Sequence, residues 1–465
     1  MSPIVRQSGK TFGFHVPVVI IGAGAAGLVA ALAAQEAGAE VLVLERDPVP
    51  RGSTALSAGL IPAAGTRWQT EAGIADSAAQ FAADIMAKAH SEPDAALVAR
   101  IAAEAGPAVE WLADTHGLPF SVISDFSYPG HSARRMHGLP SRSGEELVDA
   151  LRGAAEARDI EILCDARVTH LHADENDRLL GVTLERPDGS TEEVALCQLV
   201  LACNGYGGNA DLVRAHIPTL ADALYFGHTG NQGDALLWGE ALGAATRHLS
   251  GHQGHGSVAH PAGILITWAT IMEGGVQVNA EGRRFSNEMH GYSEQAAEVL
   301  RQPDRIAWTI FDARIAGIAR QFEDFRQAEA LGAIVTADTP QALAARTGLP
   351  ADALISTLFD VERLKLDGAT DTFGRAFRAD QQLSAPFHAV RVTGALFHTQ
   401  GGLVVNEHAR VLRPDGTSLP NLYAAGGAAC GVSGSQASGY LSGNGLLTAV
   451  VLGRLAGSAA GAAVA

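Results

Sequence analysis

Three glycines in six residues, Gly22-Ala23-Gly24-Ala25-Ala26-Gly27, separate an apolar run, Pro17 to Ile21, from a helix-like run that closes at Gly38. A second apolar run, Val41 to Leu44, then ends on Glu45. The order is strand, glycine turn, helix, strand, acid. Gly22 permits the tight turn, Gly24 lets a pyrophosphate approach the backbone, and Gly27 lets the helix pack on the sheet. The helix start offers unpaired N–H groups and the positive end of a dipole to phosphates. Glu45, 18 residues beyond Gly27, is placed to accept from a ribose 2′-hydroxyl. Residues 18–34 are apolar enough for a transmembrane helix. The three glycines and the acid-tipped strand argue against that reading. Together these features imply a dinucleotide-binding unit.

A chain of 465 residues exceeds what one core usually holds, so two domains are expected. The formal net charge of −17 argues against nucleic acid and against insertion into, or binding on, an anionic membrane. Cys164, Cys197, Cys203 and Cys430 form no CxxC pair and no CxxCH haem-attachment motif. This favours a reducing compartment and excludes a covalent c-type haem. The stretch from Met1 to Val16 shows no basic leader joined to an apolar cleavage segment, so the expected location is cytoplasmic.

Residues 71–115 carry helical spacing, with breaks expected near Ser91-Glu92-Pro93 and Gly106-Pro107. From Ile160 the pattern becomes strand-like: Ile160 to His172, Leu179 to Glu185 and Glu192 to Leu196 suggest a β-meander. Gln198 to Ala202 is a further strand ending in Cys203-Asn204-Gly205. Near the other end, Leu422 to Gly427 and Gly439 to Leu446 repeat the glycine style of the opening. The expected fold is therefore α/β: a Rossmann-like cofactor domain built from both ends of the chain (1–255 and 394–465), with an inserted α+β capping domain (256–393).

These segments resemble the flavoprotein family of fumarate reductases, succinate dehydrogenase flavoprotein subunits and 3-ketosteroid dehydrogenases. The likeness runs over nearly the whole chain. It includes Gly52-Ser53-Thr54-Ala55-Leu56-Ser57-Ala58-Gly59, Gly230-Asn231-Gln232-Gly233-Asp234, Gly282-Arg283-Arg284-Phe285-Ser286-Asn287-Glu288, His398-Thr399-Gln400-Gly401-Gly402 and the turn from Ser442 to Leu446. The resemblance implies FAD. Its cofactor positions here are Gly22, Gly24, Ala26 and Gly27 in the turn, Glu45 and Arg46 at the ribose, and Ser53 and Thr54 at the pyrophosphate. Val168 falls beside the adenine, Ser57 to Gly59 near the flavin ring, and Asp234, His398 and Gly426 elsewhere around it. The helix start at Gly445-Leu446 would face the N1/O2 edge of the flavin, where charge collects on reduction. Ser57 and His398 also suit plain loop packing, and Asp234 also suits a helix cap.

Departures from the family pattern narrow the chemistry. Members with a covalent flavin carry histidine where this chain has Ser53, which implies non-covalent FAD. Two arginines that recognise the dicarboxylate in fumarate reductases fall on Tyr292 and Tyr440. A threonine–glutamate pair becomes Thr267-Trp268. In 3-ketosteroid dehydrogenases the same two arginine positions are tyrosines. By that resemblance Tyr292 is the base that removes the α-proton of a ketone. Tyr440 and the backbone N–H of Asn444 would hold its oxygen, and Ser442 would relay a proton or add a donor. A tyrosine needs a neighbouring positive charge or donor to act as a base near neutral pH.

Other clusters have blander readings. His252, His255 and His260 fit no firm metal-ligand spacing and suit a site wall or loop. Arg134 and Arg135 could steer a carboxylate but better suit surface pairing. The leading expectation is a desaturase of a cyclic or steroidal ketone, with a quinone, dye or oxygen as external acceptor. A cap confined to 256–393 in a fairly short chain leans slightly towards the smaller ketone. The alternatives are an ene-reductase acting on an enone or unsaturated acid, and a flavin-binding subunit without catalysis. With no second glycine fingerprint and no redox cysteine pair, a pyridine-nucleotide disulfide reductase is not expected.

Overall fold

The computed structural model describes residues 3–7, 10–124 and 127–465, so the expectation about an N-terminal leader lies partly outside it. The apolar opening forms two elements. Strand β1 (Phe14–Ile21) leads through Gly22 at φ +103° into helix α1 (Ala25–Glu36). A Cβ at Gly22 would also lie 2.6 Å from the Ala202 carbonyl oxygen, so the turn demands glycine twice over. Strand β2 (Val41–Leu44) pairs in parallel with β1 and delivers Glu45 beside the turn.

Helices α2 (Ala78–Lys88) and α3 (Ala95–His116) follow, separated at residues 91–93 as the sequence suggests. The break expected at Gly106-Pro107 is absent, because α3 runs straight through Pro107. Its neighbours Ile101, Ala102, Ala105, Ala108 and Val109 are all buried, and that packing outweighs the one lost backbone bond.

Helix α4 (Gly144–Glu156) precedes β3 (Glu161–Leu163), β4 (Arg167–Ala173), β5 (Leu179–Glu185) and β6 (Thr191–Leu201). The strands β4, β5 and β6 form an antiparallel meander. The run Ile160 to His172 is not one strand, however. It divides after Leu163, and β3 pairs in parallel with β2 on the far side of the sheet. Conversely, residues 192–196 and 198–201 belong to the single long strand β6, which ends one residue before Ala202.

Helix α5 (Asp234–Ala241), strands β7 (His252–Ala259) and β8 (Val276–Val278), helix α6 (Tyr292–Leu300), strand β9 (Ile306–Asp312) and helix α7 (Glu323–Ala330) come next. The chain then forms β10 (Phe387–Thr399), β11 (Ser418–Ala424) and helix α8 (Asn444–Ala462). Among the described residues the larger sheet has nine strands. Its parallel core runs β3-β2-β1-β6-β11, so the first and last strands of the core flank β6. The second sheet, of seven strands, centres on β10, which lies between β7 and β9. It draws on strands from Leu224 to Thr399 and so extends beyond 256–393 on both sides.

Helix α8 lies along α1. A Cβ at Gly453 or Gly461 would come 2.6 Å from the carbonyl oxygen of Ala26 or Ala34, and one at Gly457 would overlap that of Ala30. Four-residue spacing on both helices brings their backbones together, which only small side chains allow. This contact also explains the composition of α8. Among the described residues it is the one helix long and apolar enough to cross a membrane, and 61% of its most apolar window is buried inside the protein.

Candidate active site

A cleft of about 460 Å³ opens at the C-terminal ends of β1, β2 and β6 and reaches the face of the second sheet. Gly22, Gly24 and Ala26 line one end, with Glu45, Arg46 and Val168. Gly27 and Gly59 stand behind the wall rather than on it. The Glu45 carboxylate is tied to the turn, accepting from Ala23 N–H at 2.8 Å and Asp47 N–H at 3.0 Å. Burial pushes its pKa up, against the pull of those two N–H groups. Arg46 donates to the Gly230 carbonyl at 2.8 Å. Ser53 Oγ accepts from His228 N–H at 3.0 Å and Asn231 Nδ2 at 2.8 Å, while Thr54 Oγ1 accepts from Ala25 N–H at 3.0 Å. Ser57 Oγ donates to the Thr54 carbonyl at 2.7 Å, so it braces the same loop. Asp234 does not cap α5: the capping position is Gly233, and Asp234 turns instead to the cleft.

Helices α1 and α8 both begin next to a glycine, Gly24 and Gly443, and neither has a side-chain cap. Both starts lie on this cleft. Two uncapped helix N-termini suit a ligand that carries negative charge in two places, as a flavin dinucleotide does at its pyrophosphate and, once reduced, on its ring. A Cβ at Gly24 would sit 3.3 Å from Thr54 Oγ1, so any larger side chain would fill this cradle. Gly426, at φ +59°, and Leu446 complete the wall beside α8. The residues present fit the cofactor.

At the other end stand Tyr292, the first residue of α6, and Tyr440, in the turn before α8. Their rings meet at 6.1 Å and 62°, and only 7% and 5% of the two residues is exposed. The Tyr440 hydroxyl receives the Gly445 N–H at 3.4 Å and lies near enough to Tyr292 for the two phenols to influence each other's titration. Ser442 of the same turn lines the cleft and favours the ionised form of Tyr292, against the larger effect of burial. Burial drives the Tyr292 phenol well above its ordinary value and that of Tyr440 up to about 12. His398 lies edge-on to Tyr440 at 5.6 Å, and its Nδ1 is 2.8 Å from Gln400 Nε2. Burial lowers its pKa to about 4, so the ring is neutral.

His255 belongs to the wall, stacked 4.7 Å from Tyr292 on one side and 5.1 Å from Phe397 on the other. Its Nδ1 accepts from Ser257 N–H at 3.1 Å, and burial pushes its pKa down to about 3. His252 is buried outside the cleft lining and His260 is exposed. No cluster suited to a metal occurs among the described residues.

Two expectations change. The Asn444 N–H is engaged within the turn, donating to the Leu441 carbonyl at 3.0 Å, and the residue lies outside the cleft. The N–H that donates to the Tyr440 hydroxyl belongs to Gly445. Arg135 is buried among Asp76, Asp84 and His131, and Arg134 is exposed away from the cleft. Neither can meet a ligand there. Tyr128, by contrast, escaped the sequence reading. It lines the cleft, and its ring stands edge-on to Tyr292 at 6.3 Å. It sits in an irregular Tyr-Pro-Gly stretch with no periodicity to mark it.

Residues 17–446 match the FAD binding domain family. The probable fumarate reductase Ifc3 of Shewanella frigidimarina is 31% identical over 95% of this chain and 74% of its own length. The 4-oxocyclohexanecarboxylate 2-dehydrogenase of Sinomonas cyclohexanicum is 26% identical over 96% of this chain and 95% of its own. Among solved structures, the 3-ketosteroid Δ4-(5α)-dehydrogenase of Rhodococcus jostii RHA1, in complex with 4-androstene-3,17-dione, superposes with a TM-score of 0.77 at 25% identity, covering 99% of this chain and 100% of that one. The chain belongs to the FAD binding domain family and is an FAD-dependent flavoprotein oxidoreductase akin to fumarate reductases and 3-ketosteroid dehydrogenases.

Proposed function

We propose that this flavoprotein desaturates a cyclic ketone, steroidal or single-ring, between its α and β carbons. The observation that carries the reading is the buried Tyr292–Tyr440 pair, which lines the cleft with Ser442; by resemblance these two tyrosines fall where dicarboxylate reductases use arginine. Tyr440 donates its hydroxyl hydrogen to the ketone oxygen, and the Gly445 N–H orients it. That donation stabilises the enolate-like charge in a water-poor site. Tyr292, as tyrosinate, takes the α-proton, with Ser442 holding its oxygen in place. When bound non-covalently beside Ser53, FAD would supply the acceptor for the β-hydride, with a quinone, a dye or oxygen as the external acceptor. The names of the Sinomonas and Rhodococcus proteins support a ketone substrate.

The prevalence of fumarate reductases among the relatives favours one second reading, reduction of an enone by the same groups run backwards. Anaerobic stopped-flow mixing of oxidised enzyme with 4-androstene-3,17-dione, a 5α-reduced 3-ketosteroid, cyclohexanone and 4-oxocyclohexanecarboxylate separates them. Bleaching of the visible flavin band by any one supports desaturation. No bleaching, with dithionite-reduced enzyme reoxidised by an enone, replaces it with the reductase.

A further inference from the structure

The turn that carries Tyr440, Ser442 and Gly445 packs against residues 130–136. A Cβ on Gly130 would lie 2.8 Å from Leu441 Cδ1, and one on Gly443 would meet Pro62 and Met136. One polar contact joins the two segments: His131 Nε2 stands 3.0 Å from the Ser442 carbonyl oxygen. His131 itself lies outside the cleft lining. Only one tautomer of its ring satisfies both neighbours. Arg135 Nη1 lies 3.3 Å from His131 Nδ1, and a guanidinium can only donate. Burial lowers the His131 pKa to about 4, so the ring is neutral and Nδ1 accepts. The single ring hydrogen is therefore on Nε2, where it donates to the Ser442 carbonyl. Arg135 is fixed in turn: its Nε and Nη2 each donate to Asp76 at 2.9 Å, and its Nη1 also donates to Asp84.

The carbonyl that His131 holds belongs to the Ser442–Gly443 peptide, which is trans. In a trans peptide the C=O and N–H point in opposite directions, so fixing one aims the other. The Gly443 N–H thus points away from His131. With the Gly445 N–H it favours the ionised form of Tyr440, against the larger effect of burial. The Gly445 N–H reaches the Tyr440 hydroxyl oxygen at 3.4 Å. A hydroxyl that accepts such bonds gives its own hydrogen more strongly.

We propose that His131 is a positioning residue for Tyr440: its Nε2–H, kept in place by Arg135, fixes the Ser442–Gly443 peptide and so strengthens the hydrogen bond that Tyr440 gives to a developing enolate oxygen. The buried Arg135, which meets no ligand, thereby acts on the chemistry at one remove. The inference rests on the ketone reading above and deepens it.

The test compares FAD-loaded wild-type enzyme with His131→Leu, which removes both ring nitrogens, and His131→Gln, whose amide can donate to Ser442 and accept from Arg135. Each is titrated, through the flavin difference spectrum, with cyclohexanone and with 2,6-difluorophenolate, a stable mimic of the enolate. His131→Leu should weaken phenolate binding about tenfold and cyclohexanone binding about twofold or less, with FAD content unchanged. The kcat for flavin reduction by ketone should fall about tenfold with KM nearly unchanged. His131→Gln should recover most of the phenolate affinity. Imidazole nitrogen NMR of histidine-labelled wild type, with the His131 signal identified by its loss in His131→Gln, should show a neutral ring protonated on Nε2 near neutral pH. A ring protonated on Nδ1 overturns the proposal even where His131→Leu fails to fold. Equal losses for phenolate and cyclohexanone, or no loss for either, also overturn it. So does a loss that His131→Gln leaves uncorrected, or wild-type enzyme that does not bind the phenolate. Failure of every ketone to bleach the flavin counts against desaturation alone, because the ratio of phenolate to ketone affinity is read without turnover.

Discussion

The ring of Tyr292 is sandwiched: His255 stacks on its face at 4.7 Å, and Tyr440 meets its edge at 6.1 Å. The two neighbours come from opposite ends of the architecture, a strand of the second sheet and the turn before the last helix. His255 is neutral, so it packs against the phenol without lending it charge.

That surrounding sets a pH dependence. Burial holds the Tyr292 pKa well above 10, so tyrosinate is the minor form throughout the neutral range. The rate of flavin reduction by ketone should climb about tenfold per pH unit between pH 6 and 9, without a plateau. Tyr292→Phe should lower it on the order of 10³-fold and leave FAD bound. Stopped-flow traces across pH for both proteins check this; a flat profile, or retained turnover in the variant, removes Tyr292 as the base.

Glu288 lies four residues before Tyr292, almost wholly buried, and accepts from Arg284 at 2.6 Å and from Arg375 at 2.9 Å. Burial alone would raise its pKa, but the two guanidinium groups hold it at about 2, against an ordinary 4.5. A depressed carboxylate stabilises the fold fully above pH 4.5 and loses that effect as pH falls from 4.5 towards 2. Glu288→Gln should cost about 3–5 kcal/mol near pH 7, because it leaves the buried Arg375 guanidinium without its carboxylate, while Arg284 keeps Asp371. It should also flatten the acid limb of a plot of Tm against pH.

Lys88 on α2 reaches across to the start of α6, donating to Glu294 Oε1 at 2.6 Å and to the His290 carbonyl at 3.1 Å. Lys88→Met should destabilise by about 1–3 kcal/mol and slow flavin reduction several-fold while FAD stays bound. Adding Glu294→Gln to that variant should restore much of both, since it removes the stranded carboxylate. A double-mutant cycle on Tm and on the reduction rate measures the coupling; purely additive losses would refute it.

Gly457→Ala should push α8 away from α1, because its methyl group would overlap the Ala30 carbonyl. A loss of about 2 kcal/mol or more is expected, together with reduced flavin content in purified protein. Thermal melting and flavin absorbance check both.

Local chemistry made much of this protein readable in advance. The turn around Gly22, the acid at Glu45 and the order of strand and helix each depend on residues within a few positions of one another. Tyr292 and Tyr440 were found by counting from neighbouring motifs. What escaped depends on distant pairing. The short strand β3 joins β2 from far along the chain, Leu42 meeting Glu161, and no pattern within it names that partner. The choice between the Asn444 and Gly445 N–H groups turns on one hydrogen bond inside the turn, to Leu441. Arg135 looked available until Asp76 and Asp84 closed around it.

The α1–α8 contact also has a consequence in time. On the ribosome, the glycine turn and Glu45 emerge early, but the helix that closes over them emerges only after both sheets have been made. Until then Ala26, Ala30 and Ala34 have no backbone to rest against, and the second uncapped helix start does not exist. Before that, the cradle has only its first half; the second forms once α8 has been made and packed on α1.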